Sequence, residues 1–84
     1  AFGDAYELPN RTAYAETCAA IGLTLWCQRM FLRHGDAKYV DVLERALYNG
    51  LASGVSLDGR GFFYTNPLES RGGATRPAWH ECAC

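Results

Sequence analysis

The chain has 84 residues, 49% hydrophobic and 13% aromatic, and its 8 basic and 9 acidic side chains leave a formal charge of −1. That apolar content with so little net charge excludes a disordered chain, and the scattered, balanced charge excludes an electrostatic nucleic-acid binder. The longest nearly apolar run, residues 18–27, contains Gly22 and Thr24 and falls well short of the ~20 residues a membrane span needs.

Residues 1–12 read as irregular, with Gly3, Asp4, Pro9 and Asn10 as breakers. A helix follows and runs to about His34. Tyr14, Cys18, Ile21, Leu25 and Leu32 form one stripe at helical spacing; Ala19, Leu23, Trp26 and Met30 form a second. Two stripes predict a helix buried on most of its circumference, more than a chain of this size covers by itself. A domain this short buries only about 60–65% of its unfolded surface. The chain therefore reads as a fragment of a larger protein. Arg33, His34 and Gly35 mark the end of the first helix.

Asp36 is a good N-cap for a second helix reaching about Asn49, with Tyr39, Leu43, Ala46 and Leu47 inward and Asp41, Glu44 and Arg45 outward. So short a connection predicts antiparallel neighbours, an αα-hairpin closed off by Gly50 and Gly54. Next comes a short β-hairpin: Val55, Ser56 and Leu57, the turn pair Asp58-Gly59, then Phe62, Phe63, Tyr64 and Thr65 up to Asn66-Pro67. Residues 69–78 read as a loop. The fold class expected is mainly α.

The four cysteines are Cys18, Cys27, Cys82 and Cys84. Nine helical positions place Cys18 and Cys27 on opposite sides, and Cys82 and Cys84 flank a single alanine, so disulfides would join the helix to the tail in one of two ways. The alternative is a metal site. Glu16 and Cys18 stand two apart, about 200° around a regular helix, so they can share an ion only if the helix begins near Thr17 or Cys18. In the simpler reading Glu16 is a first-turn carboxylate and Cys18 a small core residue. Trp79-His80-Glu81-Cys82-Ala83-Cys84 is dense in ligands and nucleophiles, and its bland alternative is a frayed tail. Tyr64 either hydrogen-bonds a sugar or packs. His34 reads as the helix-terminal charge, and His80 lacks a partner at helical spacing.

Five ordered strings are more specific than any spacing: Tyr6-Glu7-Leu8-Pro9-Asn10, Tyr14-Ala15-Glu16-Thr17-Cys18-Ala19, Leu47-Tyr48-Asn49-Gly50, Ser56-Leu57-Asp58-Gly59, and Trp79 with Cys82-Ala83-Cys84. Together they resemble the catalytic domain of glycoside hydrolase family 127, the β-L-arabinofuranosidase family, over essentially the whole chain. The resemblance implies that residues 1–84 are part of an (α/α)6 barrel several times longer. It also implies a Zn2+ site, with Glu16, Cys18 and Cys84 as ligands and Cys84 as the nucleophile of a retaining glycosidase. Tyr64 and Glu16 are then substrate-binding. Cys82 matches an outer cysteine that is not a ligand.

In the family a further ligand cysteine follows the one matched by Cys84, and the acid/base glutamate sits upstream of Ala1-Phe2-Gly3. Both are expected outside these residues, which predicts an inactive isolated 84-mer. Glu7 aligns with the Leu-Pro-Asn string and takes no acid/base role. The implied partners are an arabinofuranose-containing glycan and the rest of the catalytic domain, with no nucleic acid and no membrane. Reduced thiols favour the cytoplasm. Two other readings stand beside this one: a small zinc- or disulfide-stabilised binding module, and a non-catalytic glycan-binding relative.

Overall fold

The computed structural model describes residues 3–79, which are mainly helical. Helix α1 spans Thr17–His34 and α2 spans Ala37–Arg45. The helical path continues as a π-helical segment, Ala46–Leu51, and a 3₁₀ turn, Ala52–Gly54. Gly54 returns beside Thr17 and Gly50 beside Ala20, so the second arm runs antiparallel to α1.

The hinge between the arms follows from local chemistry. Gly35 adopts a left-handed conformation (φ 66°) and donates its N–H to the Phe31 carbonyl, 2.7 Å away, as a helix C-cap does. Asp36 then caps α2, its carboxylate accepting from the Lys38 backbone N–H at 3.0 Å. Regular α-helix stops at Arg45, before the expected end at Asn49. There the Asn49 side chain donates to the Arg45 carbonyl (3.1 Å) and the Ser53 hydroxyl to the Asn49 carbonyl (2.6 Å). Such side-chain bonds compete with the backbone ladder and accompany the wider π turn.

The side of α1 that meets the second arm is lined by small residues. Thr17, Thr24 and Cys27 are buried and Ala20 is half-buried, whereas Trp26 is 61% and Leu32 75% exposed. Leu23, Leu25, Trp26 and Leu32 of the two stripes are therefore exposed, while Ile21 and Met30 are half-buried. Close approach is the reason that small residues line the contact. A Cβ at Gly50 would stand 2.9 Å from the Ala20 methyl, and one at Gly54 would stand 2.7 Å from the Thr17 hydroxyl.

The expected β-hairpin does not form; among the described residues there is no strand, only isolated antiparallel bridges. Val55 pairs with Phe62 around the Asp58-Gly59 turn, where Gly59 has φ 70°. Asp58 accepts from the Ser56 hydroxyl (2.5 Å) and the Arg60 N–H (3.0 Å), and the Ser56 hydroxyl accepts from Gly61 N–H (2.8 Å). The returning segment cannot extend the ladder because its backbone groups serve other partners. Phe62 N–H donates to the Pro77 carbonyl, the Tyr64 carbonyl accepts from Thr17 N–H, and Asn66 N–H donates to the Ala15 carbonyl. Residues 69–79 form no regular structure, in keeping with the expected loop.

Candidate metal and catalytic site

The start of α1 is set by that returning segment. Glu16 has extended backbone (φ −71°, ψ 134°) and bridges Thr65, while Thr17 N–H donates to the Tyr64 carbonyl at 3.0 Å. The buried Thr17 hydroxyl donates to the Phe63 carbonyl at 2.6 Å. A first-turn amide and a first-turn side chain are thus satisfied by residues far along the chain. Because the helix begins at Thr17 and not at Tyr14, Glu16 and Cys18 project to the same side.

Their side chains touch: the Cys18 thiol donates to Glu16 Oε2 at 3.3 Å. Tyr64 closes the group from the other side, its hydroxyl donating to Glu16 Oε1 at 2.7 Å. The Tyr14 ring meets the Tyr64 ring edge-on, with centroids 6.1 Å apart. The Tyr64 hydroxyl and then the Cys18 thiol hold the Glu16 carboxyl below its usual range. The same interactions act on Tyr64 in the opposite sense: the Tyr14 hydroxyl and then the Glu16 carboxylate push its phenol above the ordinary range. Both shifts favour the proton on tyrosine and the ionised form of Glu16.

A carboxylate oxygen and a sulfur bound to one tetrahedral Zn2+ lie about 3.5 Å apart, given metal–oxygen and metal–sulfur bonds of roughly 2.1 and 2.3 Å. The 3.3 Å separation of Glu16 Oε2 and Cys18 Sγ fits one edge of that tetrahedron. Among the described residues no third His, Cys, Asp or Glu joins them. Cys84, with Cys82 and His80, lies outside the described residues. Cys18 and Cys27 carry free thiols. Glu7 is engaged locally, accepting from Asp4 N–H at 2.9 Å.

So the structure brings Glu16, Cys18 and Tyr64 together, and it adds Tyr14, which sequence reading counted as a helix-stripe residue. With residues 13–15 outside the helix, Tyr14 lies two positions before Glu16 in non-helical backbone and reaches the same cluster. Among the described residues no helix is long and apolar enough to cross a membrane.

Comparison with known proteins decides the family. The model of the β-L-arabinofuranosidase GH127 catalytic domain matches residues 1–84. The chain belongs to the GH127 catalytic-domain family. A non-reducing end β-L-arabinofuranosidase of Bifidobacterium longum subsp. longum is 39% identical over 90 residues, covering 94% of this chain and 14% of its own length. A solved GH127 β-arabinofuranosidase is 66% identical with a TM-score of 0.91, matching 99% of this chain and 13% of that one. A solved glycoside hydrolase is 49% identical with a TM-score of 0.74, over 90% and 13%. This GH127 chain thus spans about an eighth to a seventh of the length of these relatives, all of which are described as glycoside hydrolases or arabinofuranosidases. Its helices and bridges are part of a GH127 catalytic domain.

Proposed function

We propose that this chain supplies the metal-ligand and nucleophile end of a retaining, zinc-dependent glycosidase that hydrolyses β-L-arabinofuranosides within an (α/α)6 barrel. The single observation that carries the reading is the Glu16–Cys18 pair, spaced for one tetrahedral ion. Glu16, Cys18 and Cys84 hold Zn2+ in this reading, and Tyr64 and Glu16 face the sugar. The name of the Bifidobacterium relative supports an arabinofuranose-containing glycan as substrate. The remainder of the catalytic domain is the partner that covers Leu25, Trp26 and Leu32, since the chain accounts for so small a share of its relatives.

Zinc, when bound, supplies the positive charge that keeps cysteine sulfur deprotonated at neutral pH. The Cys84 thiolate attacks the anomeric carbon, the bond to the leaving oxygen breaks with its electron pair, and a carboxylic acid from the remaining domain protonates that oxygen. In the second step the resulting carboxylate takes a proton from water. The water oxygen attacks the anomeric carbon, and the Cys84 thiolate departs. Two displacements at one carbon return the original configuration, with sulfur in the place the usual glycosidase gives a carboxylate. The Tyr64 hydroxyl, donating to Glu16 Oε1, favours the ionised carboxylate throughout.

Hydrolysis of an aryl β-L-arabinofuranoside by the parent enzyme tests this. Cys84→Ala should lower kcat by at least about 10³-fold, as losing a covalent nucleophile does. Intact-mass analysis with a slow substrate should show one pentosyl adduct in the wild type and none in the variant. A Cys84→Ala enzyme that keeps its rate sinks the nucleophile assignment.

A further inference from the structure

Glu16 presents two oxygens, and the structure divides them. Oε1 accepts from the Tyr64 hydroxyl at 2.7 Å and Oε2 from the Cys18 thiol at 3.3 Å. Tyr64 cannot easily leave this post. It sits on the segment whose Phe63 and Tyr64 carbonyls accept from Thr17, and whose Thr65 bridges Glu16, so the phenol and the carboxylate share one backbone frame. The Tyr14 ring buttresses Tyr64 edge-on.

We infer that Tyr64 is a positioning residue for Glu16: its hydroxyl holds Oε1, which leaves Oε2 alone, on the Cys18 side, to bind the metal. This inference rests on the zinc reading of the preceding subsection and deepens it. A carboxylate fixed in this way binds through one oxygen, and a hydrogen bond to the second keeps the ligand aimed at the ion.

The test is zinc affinity of the purified parent enzyme, measured by competition with a chromophoric chelator at neutral pH, independent of turnover. Tyr64→Phe removes the hydroxyl and keeps the ring; zinc should bind about 10–100-fold more weakly, the usual cost of losing an outer-shell partner. Infrared difference spectra of zinc-loaded against zinc-free wild type, assigned with Glu16→Gln, should show a monodentate carboxylate, a readout that needs no Tyr64 variant. Equal zinc affinity in Tyr64→Phe, or a bidentate Glu16 band, overturns the role of Tyr64 while leaving the zinc site standing. A wild-type enzyme that binds no zinc overturns both.

Discussion

The two sides of α1 make opposite use of side-chain size. Toward the second arm the helix offers Thr17, Ala20, Thr24 and Cys27, and the opposing backbone approaches through Gly50 and Gly54 so closely that an added methyl would clash. Away from it stand Leu25, Trp26 and Leu32, large, apolar and more than half exposed. Close packing here depends on small volume more than on hydrophobicity, because a tightly approached surface excludes water whatever its chemistry. The large residues point to a contact made with something other than the described residues.

The largest expected effect comes from the outward side. In the parent enzyme Trp26→Ala should cost about 3–5 kcal/mol in urea unfolding, the range for emptying a buried aromatic site. A loss under about 0.5 kcal/mol, typical of a surface position, would mean that this side stays bare. The inward side should respond to added volume instead. Gly54→Ala drives a methyl into the Thr17 side chain and Gly50→Ala into Ala20, each costing about 1–3 kcal/mol as overpacking does. If both alanine variants unfold like wild type, the arms are looser than the structure shows.

How far the sequence disclosed all this depended on whether the deciding chemistry was local. The α1–α2 hinge was legible because Gly35 and Asp36 act through their own backbone and the next few residues. The inward residues of α2, Tyr39 and Leu43, were legible from periodicity and are half-buried. The start of α1 was not, since it is fixed by the Tyr64 carbonyl and Thr65 from the far end of the chain. The hairpin was over-read for the same reason: Phe62, Tyr64 and Asn66 have β-compatible neighbours, but their backbone groups bond Pro77, Thr17 and Ala15. At the site, the pattern of Glu16 and Cys18 stated the condition for a shared ion without deciding it. Tyr14 was assigned to a helical stripe that begins only after it.

A smaller effect probes the seam where the inward side of α1 meets the site. Thr17→Val keeps the buried shape but removes the donor to the Phe63 carbonyl, and it should cost about 1 kcal/mol, the net worth of a typical hydrogen bond. Thr17→Ser keeps the donor and should recover most of that loss. If valine matches wild type in the same unfolding measurement, the hydroxyl does not help to hold the returning segment against α1.

The smallest effect belongs to the hinge, far from both comparisons, and it depends on pH. The Lys38 side chain, 2.9 Å away, and then its backbone N–H hold the Asp36 carboxyl below its usual range. A depressed pKa means that the folded state prefers the ionised form. The stabilisation is therefore fully present above the unfolded-state value near pH 4 and fades as pH falls through the lower folded value. Asp36→Asn keeps an N-cap acceptor but loses the charge. Its melting temperature should lie slightly below wild type at pH 7, and the gap should close as the pH falls below the ordinary carboxylate range and Asp36 becomes protonated in the wild type too. A gap that stays constant across that range would show that Asp36 acts as a cap alone, with its charge contributing nothing to the turn between the two arms.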